Sequence, residues 1–328
     1  MLGGLESASV TMSLLAALRQ LFSAQPAPPA PIEPTSQPPA PTWFEPRQRS
    51  VQCIGAHGFH RMAYTEWGDP ANPRVLLCVH GLTRNGRDFD DLARAMAPYY
   101  RVVCPDVVGR GQSGWLAVKD DYQLPTYVAD MITLIARLNV EAVHWVGTSM
   151  GGLIGMLLAS MPGNPIRRLV LNDVGPVITA SSLQRIGQYV GTAPVFPSFD
   201  AAEAYIRAVS APFGHLTDAQ WRHLSETSVK PVEGGWAMRY DPGIGEPFRK
   251  ASPDTDVDLW PVYDTIVCPT LVVRGAESDL LLAETARQMS ARGPKASLVE
   301  VPDVGHAPTL MDPAQIAPIR DFLLAGRE

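Results

Sequence analysis

Six short apolar runs, each broken off by glycine, aspartate or proline, limit the folds open to this chain more than any other feature. They read "RVLLCVHG" from Arg74, "YRVVCPDVVG" from Tyr100, "AVHWVG" from Ala142, "RRLVLNDVG" from Arg167, "PTLVVRG" from Pro269 and "ASLVEVPD" from Ala296. Runs that are apolar without alternation are strands buried on both faces, and such strands belong to parallel sheets covered by helices. The stretches between them supply the helices. "DFDDLARAMAP" is a helix stopped at Pro98, "TYVADMITLIARLNV" has apolar positions three and four apart, and "PAQIAPIRDFLLAG" closes the chain. Ahead of them "HRMAYTEWG" alternates like a half-exposed strand. The expected fold class is therefore α/β, a mostly parallel central sheet with helices on both faces.

Two segments depart from this alternation. Residues 176–262 hold no convincing buried strand but offer the helical pieces "SSLQRIGQYVG", "DAAEAYIRAVSA" and "TDAQWRHLSETS". They are read as a helical cap inserted between the two parts of the core, 47–175 and 263–328. Such an insertion sits over the carboxyl ends of the strands, where open α/β sheets bind ligands. Residues 1–46 begin with a short amphipathic stretch, "MSLLAALRQLFSAQ", and continue into a proline-crowded linker expected to be disordered. The first stretch fits a secretory signal poorly, because Glu6 precedes the apolar run, no Lys or Arg does, and Arg19 interrupts it. A weak interfacial contact of this helix is the only membrane association the sequence offers, since no apolar run has the length of a span.

At 328 residues, nearly half of them hydrophobic, the chain has enough material for a sizeable core. A formal charge of -6 argues against a nucleic-acid surface, which needs clustered Lys and Arg. Cys53, Cys78, Cys104 and Cys268 form no CxxC pair and read as buried free thiols, so neither a metal knuckle nor a disulfide framework is expected. Free thiols fit a reducing compartment, and a cytoplasmic location is expected.

The chemistry is concentrated at "VHWVGTSMGGLIGMLLAS". Ser149 lies after a strand and opens a helix, the context of a nucleophile elbow, where flanking glycines remove side chains that would collide with a strained serine backbone. A serine hydroxyl needs a base to take its proton, and the base needs an orienting carboxylate. His306, in a Gly-His-Ala turn after the last strand, is the expected base. His80 competes but precedes the serine, His144 is inside a strand, and His57, His60, His215 and His223 read as surface. For the carboxylate, "PTLVVRGAESDLLL" offers Asp279 and Glu277, and "LVLNDVG" offers Asp173; the reading favours Asp279. Backbone N–H groups of Met150, after the nucleophile, and Leu82, in "CVHGLTRN", are the expected oxyanion donors. Arg84 beside that loop and the cap aromatics Phe213, Trp221 and Trp236 are candidate pocket residues.

Taken in order and spacing, "VHGLTRN", "PDVVGRGQSG", "GTSMGG", "RGAESD" and "GHAP" resemble the α/β-hydrolase superfamily over roughly residues 50–325. The resemblance implies a triad of Ser149, Asp279 and His306, a lid over the site, and loop-holding roles for Arg110 and Ser113. Asp279 lies four residues past Gly275, where many members have it at three. A serine at the elbow implies acyl transfer with no metal or organic cofactor. The expected activity is hydrolysis of a carboxylic ester of a small or medium substrate through an acyl-enzyme. Carbon–carbon bond or enol-lactone hydrolysis is the alternative, and a non-catalytic ligand receptor on the same fold is a further one.

Overall fold

The computed structural model describes residues 45–192, 194–251 and 255–326. The expected helix and linker over 1–46 lie outside the described residues, save Glu45 and Pro46.

An antiparallel hairpin of β1 (Arg47–Gly55) and β2 (Gly58–Trp67) opens the fold. β3 (Val75–Val79), β4 (Arg101–Pro105), β5 (Val143–Thr148) and β6 (Ile166–Asn172) follow. An insert then carries β7 (Val177–Ile178), β8 (Val195–Phe196), β9 (Val229–Val232), β10 (Gly235–Met238) and β11 (Val257–Asp258). β12 (Thr270–Gly275) and β13 (Ser297–Val301) complete the main sheet. Its eight strands run in the order β1-β2-β4-β3-β5-β6-β12-β13 and are parallel from β4 onward.

Each buried strand divides its side chains between two cores, because successive residues point to opposite faces. From β3, Val75, Leu77 and Val79 join Met131, Leu134, Ile154 and Leu158 of the helices Leu124–Leu138 and Met150–Ser160. Leu76 and Cys78 join Leu92, Met96, Ile316 and Ile319 of the helices Asp90–Met96 and Pro313–Leu324 on the other face. Both faces are covered, so the runs are mostly apolar, and polar positions such as His144, Arg168 and Arg274 are held by hydrogen bonds. The four cysteines are free; Cys53, Cys78 and Cys104 are buried and Cys268 is half-buried.

The half-exposed alternation expected of β2 is not what the structure has: Met62 through Trp67 are all buried. β2 lies between β1 and β4, and neighbouring side chains satisfy its polar positions. Thr65 accepts from Gln48 (2.9 Å), and the Glu66 carboxylate takes both Arg47 (3.3 Å) and Arg101 (2.7 Å). Burying that carboxylate is tolerable because it is paired.

The three helical pieces of the insert form as expected, over Ala180–Tyr189, Phe199–Val209 and Asp218–Ser228. Side chains of Thr179, Ser198 and Thr217 cap them, the last in a reciprocal capping box with Gln220. The insert is not wholly helical, however. β8, β10 and β9 form a small antiparallel sheet in which Trp236 stands opposite Phe196 and Pro231. Strands this short carry no readable period, so the sequence pattern does not reveal them. Core and insert are joined by Asn85 Nδ2 donating to the Thr227 carbonyl (2.9 Å), Gly111 N–H to the Arg239 carbonyl (2.8 Å) and the Tyr122 hydroxyl to Asp241 (2.7 Å).

Candidate active site

Ser149 occupies the turn between β5 and the helix Met150–Ser160, with φ 52° and ψ −117°. A non-glycine residue persists there only when its surroundings over-determine it. Its N–H donates to the Asn172 carbonyl (3.0 Å), and its own carbonyl accepts from Gly152 (2.8 Å) and Leu153 (3.0 Å). The glycines are required by close approach. A Cβ on Gly147 would lie 2.3 Å from the Gly151 carbonyl oxygen, and one on Gly151 would lie 1.9 Å from that of Val79. Trp145 Nε1 donates to the Gly151 carbonyl (3.0 Å), tying the helix start to β5.

His306 Nε2 stands 3.0 Å from Ser149 Oγ, and His306 Nδ1 stands 2.7 Å from Oδ2 of Asp173. The acid that meets the imidazole is thus Asp173, at the end of β6, and the expected pairing with Asp279 is corrected. Asp173 is fully buried, with φ 54°. Its Oδ1 accepts from Gly275 N–H (2.9 Å), and Oδ2 also accepts from the Ser278 hydroxyl (2.6 Å). Ser278 stands three residues past Gly275, and here it donates a hydrogen bond to a carboxylate supplied by β6 instead of providing one. Asp279, one residue further on, turns outward. Its side chain is 57% exposed and pairs with Arg185 of the insert. Asn172 carries no motif that marks it in the sequence, yet its Nδ2 donates to Thr148 Oγ1 (2.9 Å) and the Pro308 carbonyl (2.8 Å). It thereby joins the elbow to the histidine loop.

Leu82 and Met150 flank the serine. The Met150 N–H is the first of its helix and has no intrahelical acceptor. Leu82 lines the same cavity as Ser149. The loop holding Leu82 is fixed by two buried groups. Val107 N–H donates to His80 Nε2 (2.9 Å), so the ring proton is on Nδ1 and donates to the Gly81 carbonyl (2.6 Å). Burial, with the nearby Arg110 and Arg84 charges adding to it, pushes the His80 pKa down to about 3, so this histidine is neutral. Arg110 is buried too. Its Nε donates to the Leu82 carbonyl (2.8 Å), and Nη1 donates to the Val108 carbonyl (2.8 Å) and the Tyr127 hydroxyl (3.0 Å). Ser113 bridges the Ala63 N–H and the Asp106 carbonyl.

A cavity of about 440 Å³ opens over the serine and reaches between core and insert. Arg84 and Phe213 line it, together with Tyr205, Ile206, Met238 and Tyr240. Trp221 and Trp236 do not. Trp221 packs with Leu224, Met311, Phe213 and Leu216, and Trp236 stacks edge-on against Phe199 with ring centroids 5.3 Å apart. Trp221 is thus buried between the insert and Met311 of the core, and Trp236 packs, partly buried, inside the insert. Arg84 is already engaged, with Nε on Asp88 Oδ2 (2.8 Å), Nη2 on Asp88 Oδ1 (2.5 Å) and Nη1 on Ser228 (2.9 Å).

The remaining histidines are elsewhere. His57 pairs with Asp121 (2.7 Å), His223 faces Asp90 (3.3 Å), and His144 bonds the Tyr100 hydroxyl (2.8 Å). His60, expected at the surface, is buried, with Nε2 2.9 Å from both oxygens of Asp130. With Cys53 these two form the one group among the described residues whose donor atoms lie close enough to hold a metal ion, all within 4.8 Å of one another. Burial, with Asp130 adding to it, pushes the Cys53 thiol up to about 12, so in the metal-free protein it stays protonated, and His60 Nδ1 is buried without a hydrogen-bond partner.

A strained serine on a strand–helix turn, bonded to a histidine that is bonded to a carboxylate, defines the serine-nucleophile arrangement of α/β hydrolases. Residues 76–319 match the alpha/beta hydrolase family, and the chain belongs to it. A 3-hydroxybutyrate-oligomer hydrolase of Cupriavidus necator is 58% identical over 280 residues, which cover 83% of this chain and 96% of that protein. A 2-(acetamidomethylene)succinate hydrolase of Mesorhizobium japonicum is 25% identical over 71% of this chain and 81% of its own length. The crystal structure of an alpha/beta hydrolase from Novosphingobium aromaticivorans superposes with a TM-score of 0.76 at 38% identity, covering 85% of this chain and 98% of that one. No helix among the described residues is long and apolar enough to cross a membrane.

Proposed function

We propose that this chain hydrolyses the ester bonds of short 3-hydroxybutyrate oligomers through an acyl-enzyme on Ser149. The observation that carries the mechanism is the continuous chain from Ser149 Oγ through His306 to Asp173, at 3.0 and 2.7 Å. Asp173 accepts a hydrogen bond from Nδ1–H, which leaves the Nε2 lone pair facing the serine hydroxyl. Ser149 Oγ attacks the ester carbonyl carbon while its proton passes to Nε2. The oxygen that becomes negative is met by the N–H groups of Leu82 and Met150. Collapse expels the alcohol portion, which takes the proton back from His306. Water, deprotonated by the same nitrogen, then releases the acid and frees the serine.

The substrate class is supported by the 58% identity to a 3-hydroxybutyrate-oligomer hydrolase. The mostly apolar cavity of about 440 Å³ has room for a short oligoester, not for a long folded chain. The test is release of 3-hydroxybutyrate from its dimer and trimer, with ring-fission products and enol-lactones as counter-assays. Ser149→Ala is expected to lower kcat by about 10³-fold or more while leaving the fold intact. Full activity of that variant, or turnover of a counter-substrate but of neither oligomer, contradicts the proposal.

A further inference from the structure

We infer that Arg185 is the docking cation for the free carboxylate of an acidic ester substrate, and that Asp279 is the carboxylate it gives up on binding. The inference rests on the ester-hydrolase reading above and adds to it how the substrate is held. Arg185 lies on the helix Ala180–Tyr189, and with Ile186 and Tyr189 it lines the same cavity as Ser149 and His306. Its carboxylate partner, Asp279, belongs to the loop after β12 and is 57% exposed, while Arg185 itself is 48% exposed.

The charges along the cavity wall make Arg185 stand apart. Among the described lining residues the arginines are Arg84 and Arg185. Arg84 is only 12% exposed and holds Asp88 through two nitrogens, so its charge is met inside the wall. The counter-ion of Arg185 instead looks into solvent, where water and salt screen the pair and hold it weakly. A carboxylate entering from the cavity side meets a guanidinium whose fork fits it and whose present partner is easily exchanged. At neutral pH an oligomer of a hydroxy acid carries such a group at one end, on the alcohol portion that leaves in the first step.

The test uses a pair of small esters, 3-butyryloxybutyrate and its primary amide 3-butyryloxybutanamide, which have nearly the same shape and one ester bond each but differ in charge. The readout is the ratio of kcat/KM for butyrate release from the free acid over that from the amide. Arg185→Gln is expected to lower this ratio about three- to five-fold, the effect of losing one partly exposed charged contact. Arg185→Lys should keep part of it. Asp279→Asn should raise the ratio, because the competing carboxylate is gone. A pair that merely latches insert to core predicts instead that both variants change turnover alike. No preference of the wild type for the acid, no turnover of either ester, or the same sign of effect in both variants overturns the inference. If the ratio responds as expected while hydroxybutyrate dimer is left intact, docking stands and the oligomer reading fails. If dimer is cleaved while the ratio does not respond, the oligomer reading stands and docking fails.

Discussion

Asp173 spends its two carboxylate oxygens on three donors, Gly275, Ser278 and His306, in a buried site. That degree of satisfaction is what an ionised carboxylate needs to stay buried, and it fixes the tautomer of the imidazole. Asp173→Asn is accordingly expected to cost about 10³- to 10⁴-fold in kcat, whereas Asp279→Asn keeps kcat within a few-fold. Steady-state kinetics on a neutral ester decide between them, and a larger loss at Asp279 contradicts the assignment. Ser149 and His306 are legible in the sequence because the elbow and the Gly-His-Ala turn are local patterns. The acid is not, since Asp173 and Asp279 both follow strands at the same sheet edge and only the fold shows which one turns inward. Ser278, at the more usual position of the acid, is the one local hint.

His80 makes a second claim at this scale. Its pKa in the folded protein is pushed down to about 3 by burial, below its ordinary value of 6.5. The stability this neutral histidine supports is complete above pH 6.5 and is lost progressively as pH falls toward 3, because the unfolded chain then binds a proton that the folded one refuses. Between pH 7 and pH 5 His80 alone should cost about 2 kcal/mol of unfolding free energy. Urea titrations at both values should show that difference shrinking in His80→Asn; an unchanged pH dependence means the imidazole is not held neutral.

At the level of elements, the strands of the main sheet are readable because burial on both faces leaves few polar positions in a run. β2 shows the limit of pattern reading. Its Thr65 and Glu66 look like solvent positions, yet they are covered and paired with Gln48, Arg47 and Arg101. In the insert the helices are visible through their caps and periodicity, and the two- to four-residue strands are not. Aromatic residues there cannot be sorted into wall and filling by type. The structure divides them: Phe213 faces the cavity, and Trp236 packs on Phe199. Phe213→Ala should shift the ratio of kcat/KM between butyryl and longer acyl esters by roughly 3- to 10-fold. Trp236→Ala should leave that ratio unchanged and lower stability by about 2 kcal/mol, less than a fully buried tryptophan would cost. Chain-length profiles and chemical denaturation separate the two, and a reversal would mean that the insert closes differently over the serine.

For the whole molecule, the parallel sheet brings residues far apart in the chain to one edge. Ser149 follows β5, Asp173 follows β6 and His306 follows β13, and the insert roofs the space above them with the walls of a cavity. The acyl-enzyme on Ser149 is the step on which the proposed function depends. It is tested most directly by mixing the protein with 3-hydroxybutyrate dimer, quenching in acid within the first turnovers, and mapping the modified peptide by mass spectrometry. A 3-hydroxybutyryl group on Ser149, appearing at the rate of the first product and vanishing as dimer is exhausted, is the predicted result. Dimer cleavage with full rate in Ser149→Ala, or an acyl group carried on any other residue, would contradict it.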